Sequence, residues 1–246
     1  MTLPTGRCEV ILYSPHHDLS LADCDLDHIE GIINVWQDRS QELGQHPDIA
    51  QVFEFENKGE EIGVTLHHPH GQLYAFHHIP TFLQKEQMVA REFYNTHGRC
   101  LICDIIQNEI EDGRRIISEN ETMVAYVPEA ARYAYEVHVS CKNHRPLIEQ
   151  LTDEEVKDLA LILKRVLYKL NNLFDFEMPY IMCHHQASSK QADDPSYHWH
   201  IEFYPPYRSA NKLKYLAGCE SGTGFFITNA LPEDKAAELQ AIACPF

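Results

Sequence analysis

The segment His68-Pro69-His70-Gly71-Gln72 offers two imidazoles and a carboxamide at alternate positions. If residues 67–76 are extended, side chains alternate with period two, and residues 68, 70 and 72 line one wall. That arrangement suits a nucleophile with helpers. A neutral imidazole can attack phosphorus, carry the phosphoryl or nucleotidyl group covalently and release it to a second acceptor. His70 is the candidate nucleophile and Gln72 its neighbour. In a chain with 16 histidines, a His-x-His pair also fits a metal site or an exposed strand face.

Two further sets of residues have metal-ligand chemistry. Cys100-Leu101-Ile102-Cys103 has the spacing of a zinc knuckle or a redox motif. His144 and His198 complete a tetrahedral structural zinc set of two thiolates and two imidazoles, which disfavours the redox reading. Glu86, His185, His200 and Glu202 form the second set, whose mixed carboxylate and imidazole donors suit iron or a second zinc. His184 is an equal candidate beside His185, and a hydrogen-bonded network without metal is the alternative.

The elements that must hold these groups come in two copies. Glu9–Tyr13 reads as a buried strand running into Ser14-Pro15-His16-His17, a turn because of its proline. Leu26, Ile29, Ile32, Ile33, Trp36 and Leu43 predict an amphipathic helix over about 25–43. Residues 51–55 alternate as a strand closed by Glu56-Asn57-Lys58-Gly59, and a helix carrying Glu86 is expected over 82–94. In the second copy, strand 135–139 leads to His144 as the first strand leads to His17. Thr152 and Glu155 make a capping box before a helix striped by Val156, Leu159, Leu163, Val166, Leu167 and Leu170. Residues 180–186 read as a strand end and 198–202 as a further alternating strand. His144 follows His17 by 127 residues, and His198, His200 and Glu202 each follow His68, His70 and Gln72 by 130. A shared offset at chemically matched positions implies tandem copies of one module. The fold class is therefore α+β, with two tandem modules of antiparallel sheet and covering helices, residues 1–97 and 98–246. The first copy has His17 and His68 without a matching cysteine pair.

Composition narrows the function. Hydrophobic content of 44% with 23% charged residues is that of a globular chain, and no apolar run approaches a membrane span. The formal charge of −17 repels polyanions, so broad nucleic-acid binding is not expected, while a local pocket for one nucleotide is. Met1–Arg7 lacks the apolar core of a signal peptide, so a cytoplasmic location with reduced cysteines is expected.

Taken together, Phe55-Glu56-Asn57-Lys58-Gly59, His68-Pro69-His70-Gly71-Gln72 and Trp199-His200-Ile201-Glu202-Phe203-Tyr204-Pro205-Pro206 resemble the galactose-1-phosphate uridylyltransferase family of the histidine-triad superfamily. The resemblance implies tandem histidine-triad-like modules and a double displacement. His70 takes UMP from UDP-glucose and passes it to galactose 1-phosphate. By the same matching, Gln72, Asn57, Gly63, Val64 and Thr65 contact the phosphates. His17 and His68 fall on a first zinc site, and Glu86, His185, His200 and Glu202 on a second metal site. Lys214, Tyr215, Cys219 and Glu220 contact the sugar phosphate across a homodimer interface. Cys219 stands where the family has an aromatic residue, and Ser221-Gly222-Thr223-Gly224 departs from its glutamine-bearing version. Relatives usually carry a longer N-terminal region with the first cysteine pair, so a separate N-terminal subunit is an implied partner. A histidine-triad nucleotide hydrolase and a metal-stabilised nucleotide-binding fragment are the competing readings.

Overall fold

The computed structural model describes residues 6–174 and 176–246; Met1–Thr5, part of the segment read above for a signal peptide, lies outside them. In chain order the elements are β1 (Gly6–Leu12), α1 (Leu26–Gln45), β2 (Gln51–Lys58), β3 (His70–Phe76), α2 (Thr81–His97), α3 (Leu101–Asp112), β4 (Ile116–Glu119) and β5 (Met123–Tyr126). There follow β6 (Val137–Cys141), α4 (Asp153–Asn171), β7 (Tyr180–His185), β8 (His200–Tyr204), β9 (Tyr207–Ser209), β10 (Lys212–Leu213), α5 (Gly218–Thr223) and α6 (Pro232–Gln240). Strands β1 to β8 form one eight-stranded antiparallel sheet in the order β1-β3-β2-β7-β8-β6-β5-β4, and β9 and β10 pair separately.

That order repeats about its middle. The triplet β1-β3-β2 is mirrored by β6-β8-β7, and the halves join where β2 pairs with β7. Leu12 lies opposite His70 as Ser140 lies opposite His200, and Phe55 lies opposite Gln72 as Cys183 lies opposite Glu202. The offset of 130 is thus a register in three dimensions as well as in sequence.

One face of the sheet is closed by the two long helices. From α1, Ile29, Ile32, Ile33 and Trp36 meet Leu159, Leu163, Val166 and Leu167 of α4 and the inward residues of β6 to β8. Asp25 caps α1 by accepting from the His28 amide at 2.8 Å. The predicted capping box starts α4, with the Glu155 amide donating to Thr152 at 3.3 Å and the Thr152 amide donating to Glu155 at 2.8 Å. Helices α2 and α3 cover the opposite face near β5, with Ala90, Ile102 and Ile106 against Val124 and Tyr126. At the β1 edge that face stays open, and Val10 and Leu12 are 59% and 63% exposed.

Several boundaries differ from expectation. The motif strand starts at His70, because Pro69 lacks an amide donor and its carbonyl accepts instead from the Tyr13 amide at 3.0 Å. Only His70 and Gln72 share the strand wall, since His68 belongs to the loop before it. β6 and β8 start two residues later than predicted, β1 starts earlier, and the Cys-x-x-Cys pair opens an unpredicted helix, α3. Among the described residues no helix is long and apolar enough to cross a membrane.

Candidate active site and metal centres

His70 is the first residue of β3, and a backbone bond orients it. Its Nδ1–H donates to the His68 carbonyl at 2.7 Å, and because a carbonyl can only accept, Nε2 keeps the free lone pair. Gly71 is required by the packing behind it. A Cβ there would run into the Tyr13 hydroxyl, with the ring's Cζ at 2.8 Å. His70 lines two cavities. One, of about 180 Å³, is formed with Asn57, Gly63, Val64, Thr65 and Gln72. Every sequence-predicted phosphate contact therefore shares one wall with His70. The other, of about 260 Å³, includes His17, His68, Asn57, Lys58 and Glu177.

His68 and His17 face each other across that second cavity. His68 Nε2–H donates to the Ser14 carbonyl at 2.7 Å, so its Nδ1 lone pair points at His17 Nδ1, 2.8 Å away. A carbonyl bond on the far nitrogen is the usual way to aim a metal-binding imidazole. Among the described residues no further histidine, cysteine or carboxylate joins the pair as a candidate metal group.

In the second copy, Cys100, Cys103, His144 and His198 bring their ligand atoms within 4.8 Å of one another. Cys103 Sγ lies 3.3 Å from His144 Nδ1 and 3.2 Å from His198 Nδ1. Zinc bonds of about 2.0–2.3 Å at tetrahedral angles separate such donors by about 3.5 Å, so the set fits zinc with little movement. The Cys103 hydrogen bond holds the Cys100 thiol far below its ordinary value, against the opposing effect of burial. Glu155, from the capping box of α4, also accepts from Asn143 at 2.9 Å and Arg145 at 3.0 Å, so one helix start anchors both neighbours of His144.

The Glu86 set is more deeply enclosed. His185 Nδ1 lies 2.8 Å from Glu86, and its Nε2 lies 3.4 Å from Glu202. His200 Nδ1–H donates to the His198 carbonyl at 3.0 Å, repeating the bond of His70, but its Nε2 faces Glu86 at 3.5 Å and Glu202 at 3.4 Å. Burial alone pushes Glu86 and Glu202 up, yet the facing imidazoles, with Arg132 beside Glu202, hold both below the usual carboxylate range. Burial lowers His185, but Glu202 and Glu86 outweigh it and raise it to about 9. The donors suit a metal. His184, the alternative ligand, points the other way. It is packed edge-on to Trp36 at 4.8 Å and to Trp199 at 5.9 Å on the core face, because adjacent strand residues point to opposite faces.

Sequence reading missed Arg132. It donates to Glu202, to Glu136 at 3.2 Å and to Tyr204 at 2.7 Å, and it lies over the rings of Tyr204 and Phe82. His138 joins the same network, 3.0 Å from Glu136 and 3.2 Å from Glu202. Little in the local pattern around Arg132 marks it, since apart from Glu136, four residues on, its partners are Glu202 and Tyr204 on β8 and Phe82 on α2. Lys214, Tyr215, Cys219 and Glu220 line neither cavity beside His70. Lys214 instead lies 3.4 Å from Glu220 and 5.9 Å from the rings of Tyr133 and Phe226, while Tyr215 is exposed.

Fold and site define a duplicated α+β protein with one open and one caged histidine at equivalent strand positions. The chain belongs to the galactose-1-phosphate uridyl transferase family, whose N-terminal domain model matches residues 1–80 and whose C-terminal domain model matches residues 84–243. A galactose-1-phosphate uridylyltransferase of Thermotoga maritima is 39% identical over 96% of this chain and 74% of its own length. The chain spans only about three fifths of several other relatives of that name, including those of Haemophilus influenzae and Saccharomyces cerevisiae. A solved uridylyltransferase structure superposes with a TM-score of 0.91 at 36% identity, covering 98% of this chain and 80% of that one. An ADP-glucose phosphorylase from Arabidopsis thaliana, solved with bound ADP-glucose, gives 0.87 at 26% identity over 97% and 74%.

Proposed function

We propose that this chain transfers UMP between UDP-glucose and galactose 1-phosphate through a uridylyl group on His70. The observation that carries this reading is the orientation of His70, whose Nδ1–H is tied to the His68 carbonyl while Nε2 is left for attack beside Gln72. In the first step His70 Nε2 bonds to the α-phosphorus as the bond to the bridging oxygen breaks and glucose 1-phosphate leaves with that electron pair. The charge arriving on the ring is stabilised by the same carbonyl. Gln72, Asn57 and the amides of Gly63, Val64 and Thr65 hold the phosphoryl oxygens. A phosphate oxygen of galactose 1-phosphate then bonds to the same phosphorus, the P–N bond breaks, and UDP-galactose leaves.

The remaining assignments belong to the same proposal. Cys100, Cys103, His144 and His198 hold a structural zinc, which when bound ties α3 to the loops before α4 and β8. Glu86, His185, His200 and Glu202 hold zinc or iron. Lys214, Tyr215, Cys219 and Glu220 serve the acceptor of the partner chain in a homodimer, a reading supported by their not lining either cavity beside His70 in their own chain. The division into modules 1–97 and 98–246 and a cytoplasmic location complete the reading.

Mass spectrometry tests it. Incubation with UDP-glucose should add one uridylyl group to the peptide containing His70, and galactose 1-phosphate should discharge it as UDP-galactose. An unmodified His70 with turnover proceeding would sink the mechanism. Discharge by water alone would support a hydrolase instead.

A further inference from the structure

The cavity that His70 shares with His17 and His68 contains a cation, Lys58, whose one ion pair among the described residues is with an exposed carboxylate, while the buried Glu56 also feels its charge. Lys58 ends β2, and its Nζ lies 2.8 Å from a carboxylate oxygen of Glu177 and 5.8 Å from the Tyr180 ring centroid. The contact lacks hydrogen-bond geometry, and Nζ is buried without a hydrogen-bond partner among the described residues. The two side chains are unequal in burial: Lys58 is 18% exposed and Glu177 64%. Around the two cavities beside His70, Lys58 is the one lysine or arginine among the described lining residues, whereas Asp18, Glu56, Glu61 and Glu177 add carboxyl groups. In a chain with a formal charge of −17, Lys58 is the one lysine or arginine lining these cavities that can attract an anionic ligand, beside the neutral donors Asn57 and Gln72.

We propose that Lys58 binds a phosphoryl oxygen of a nucleoside diphosphate and that Glu177 is the counter-ion it gives up in exchange. This rests on the nucleotide reading above and adds a residue and a switch to it. An ammonium on a flexible stem is a compact charge that can swing from one anion to another. The exchange is downhill because an exposed carboxylate, half solvated by water, is a weak partner, while a phosphate closing the cavity offers Nζ the hydrogen bonds it lacks. Glu177 also screens the empty cavity, so that the buried ammonium is not left alone when no ligand is present.

Equilibrium titration of UDP and of uridine into the full chain and its variants tests this. Lys58→Met should weaken UDP about tenfold or more and leave uridine, which has no phosphate, unchanged. Lys58→Arg should keep most of the affinity. Glu177→Gln, which frees Lys58, should tighten UDP by about two- to fivefold. UDP affinity within about twofold of the parent in Lys58→Met overturns the proposal, as does an equal loss for uridine, which would make Lys58 structural. Should Lys58→Met melt well below the parent, Glu177→Gln decides, because its carboxylate is exposed; unchanged or weaker UDP binding there overturns the exchange. A parent chain that binds neither UDP nor uridine defeats the nucleotide reading itself, and this inference with it.

Discussion

His70 and His200 occupy the same place in two copies of one strand, donate the same ring N–H to the carbonyl two residues before, and present the same Nε2. Their surroundings separate them. His70 Nε2 has a carboxamide, Gln72, beside it and cavities on both sides, whereas His200 is 3% exposed and faces Glu86 and Glu202. An imidazole next to an amide can give its lone pair to phosphorus; one facing two carboxylates stands in the donor company of a metal ligand. A single exchange at matched positions, Gln72 for Glu202, accounts for much of the difference. The inward face has diverged too. Tyr13 fills the space that Gly71 leaves in the first copy, while at the corresponding positions the second copy has Cys141 and Ile201, so bulk has moved from one strand to its neighbour.

The comparison breaks most sharply at the two histidines. His70→Ala should lower transfer by on the order of 10⁴-fold or more, since a lost covalent step has no local substitute. His200→Ala should still acquire uridylyl on His70. Peptide mapping after UDP-glucose checks both, and label on His200 in the His70→Ala chain would erase the functional asymmetry.

The proposed metal ligands come next. The double variant Cys100→Ser/Cys103→Ser should lose bound zinc and melt about 10 °C lower, because metal binding adds directly to folding stability. His17→Ala, which removes half of a two-ligand pair, should shift melting by no more than about 2 °C. Zinc analysis with thermal melts decides; equal losses would mean the first copy closes a metal site as well.

Gly71→Ala should destabilise by about 1–3 kcal/mol through the clash with Tyr13, and should reduce transfer by displacing the neighbouring His70. Denaturant melts alongside turnover separate the two effects.

The smallest effect depends on pH. Glu54 is buried on the core face, where desolvation, reinforced by Glu149 and offset in part by Ser40, pushes its carboxyl up to about 8; the second copy has Met182 at that register. Between an unfolded value near 4.3 and that folded value, the folded chain keeps a proton that the unfolded chain releases. Stability therefore falls as pH rises through this window, and the cost is fully present above it. Glu54→Met should raise the melting temperature by a few degrees, more at about pH 8 than at about pH 5. A gain independent of pH would mean that packing, and not the carboxyl, is responsible.

Most of the chemistry was legible in the residues. The 130-residue offset, the capping box and the cysteine spacing are local or periodic features, and such features survive in a linear string because helices and strands impose fixed repeats on it. What the string alone left open is which side of the sheet a residue faces and what meets it there. His184 and His185 were equal candidates until the strand register put one against Trp36 and the other against Glu86. Arg132 and Lys58 looked ordinary because their partners, Glu202 and Glu177, lie on distant segments brought close only by strand pairing and the loop before β7. The sequence by itself determined the duplication and the types of candidate ligand; the tertiary structure alone decided which histidine is open and which is caged, because burial and the charges across a sheet are set by packing between residues far apart in the chain.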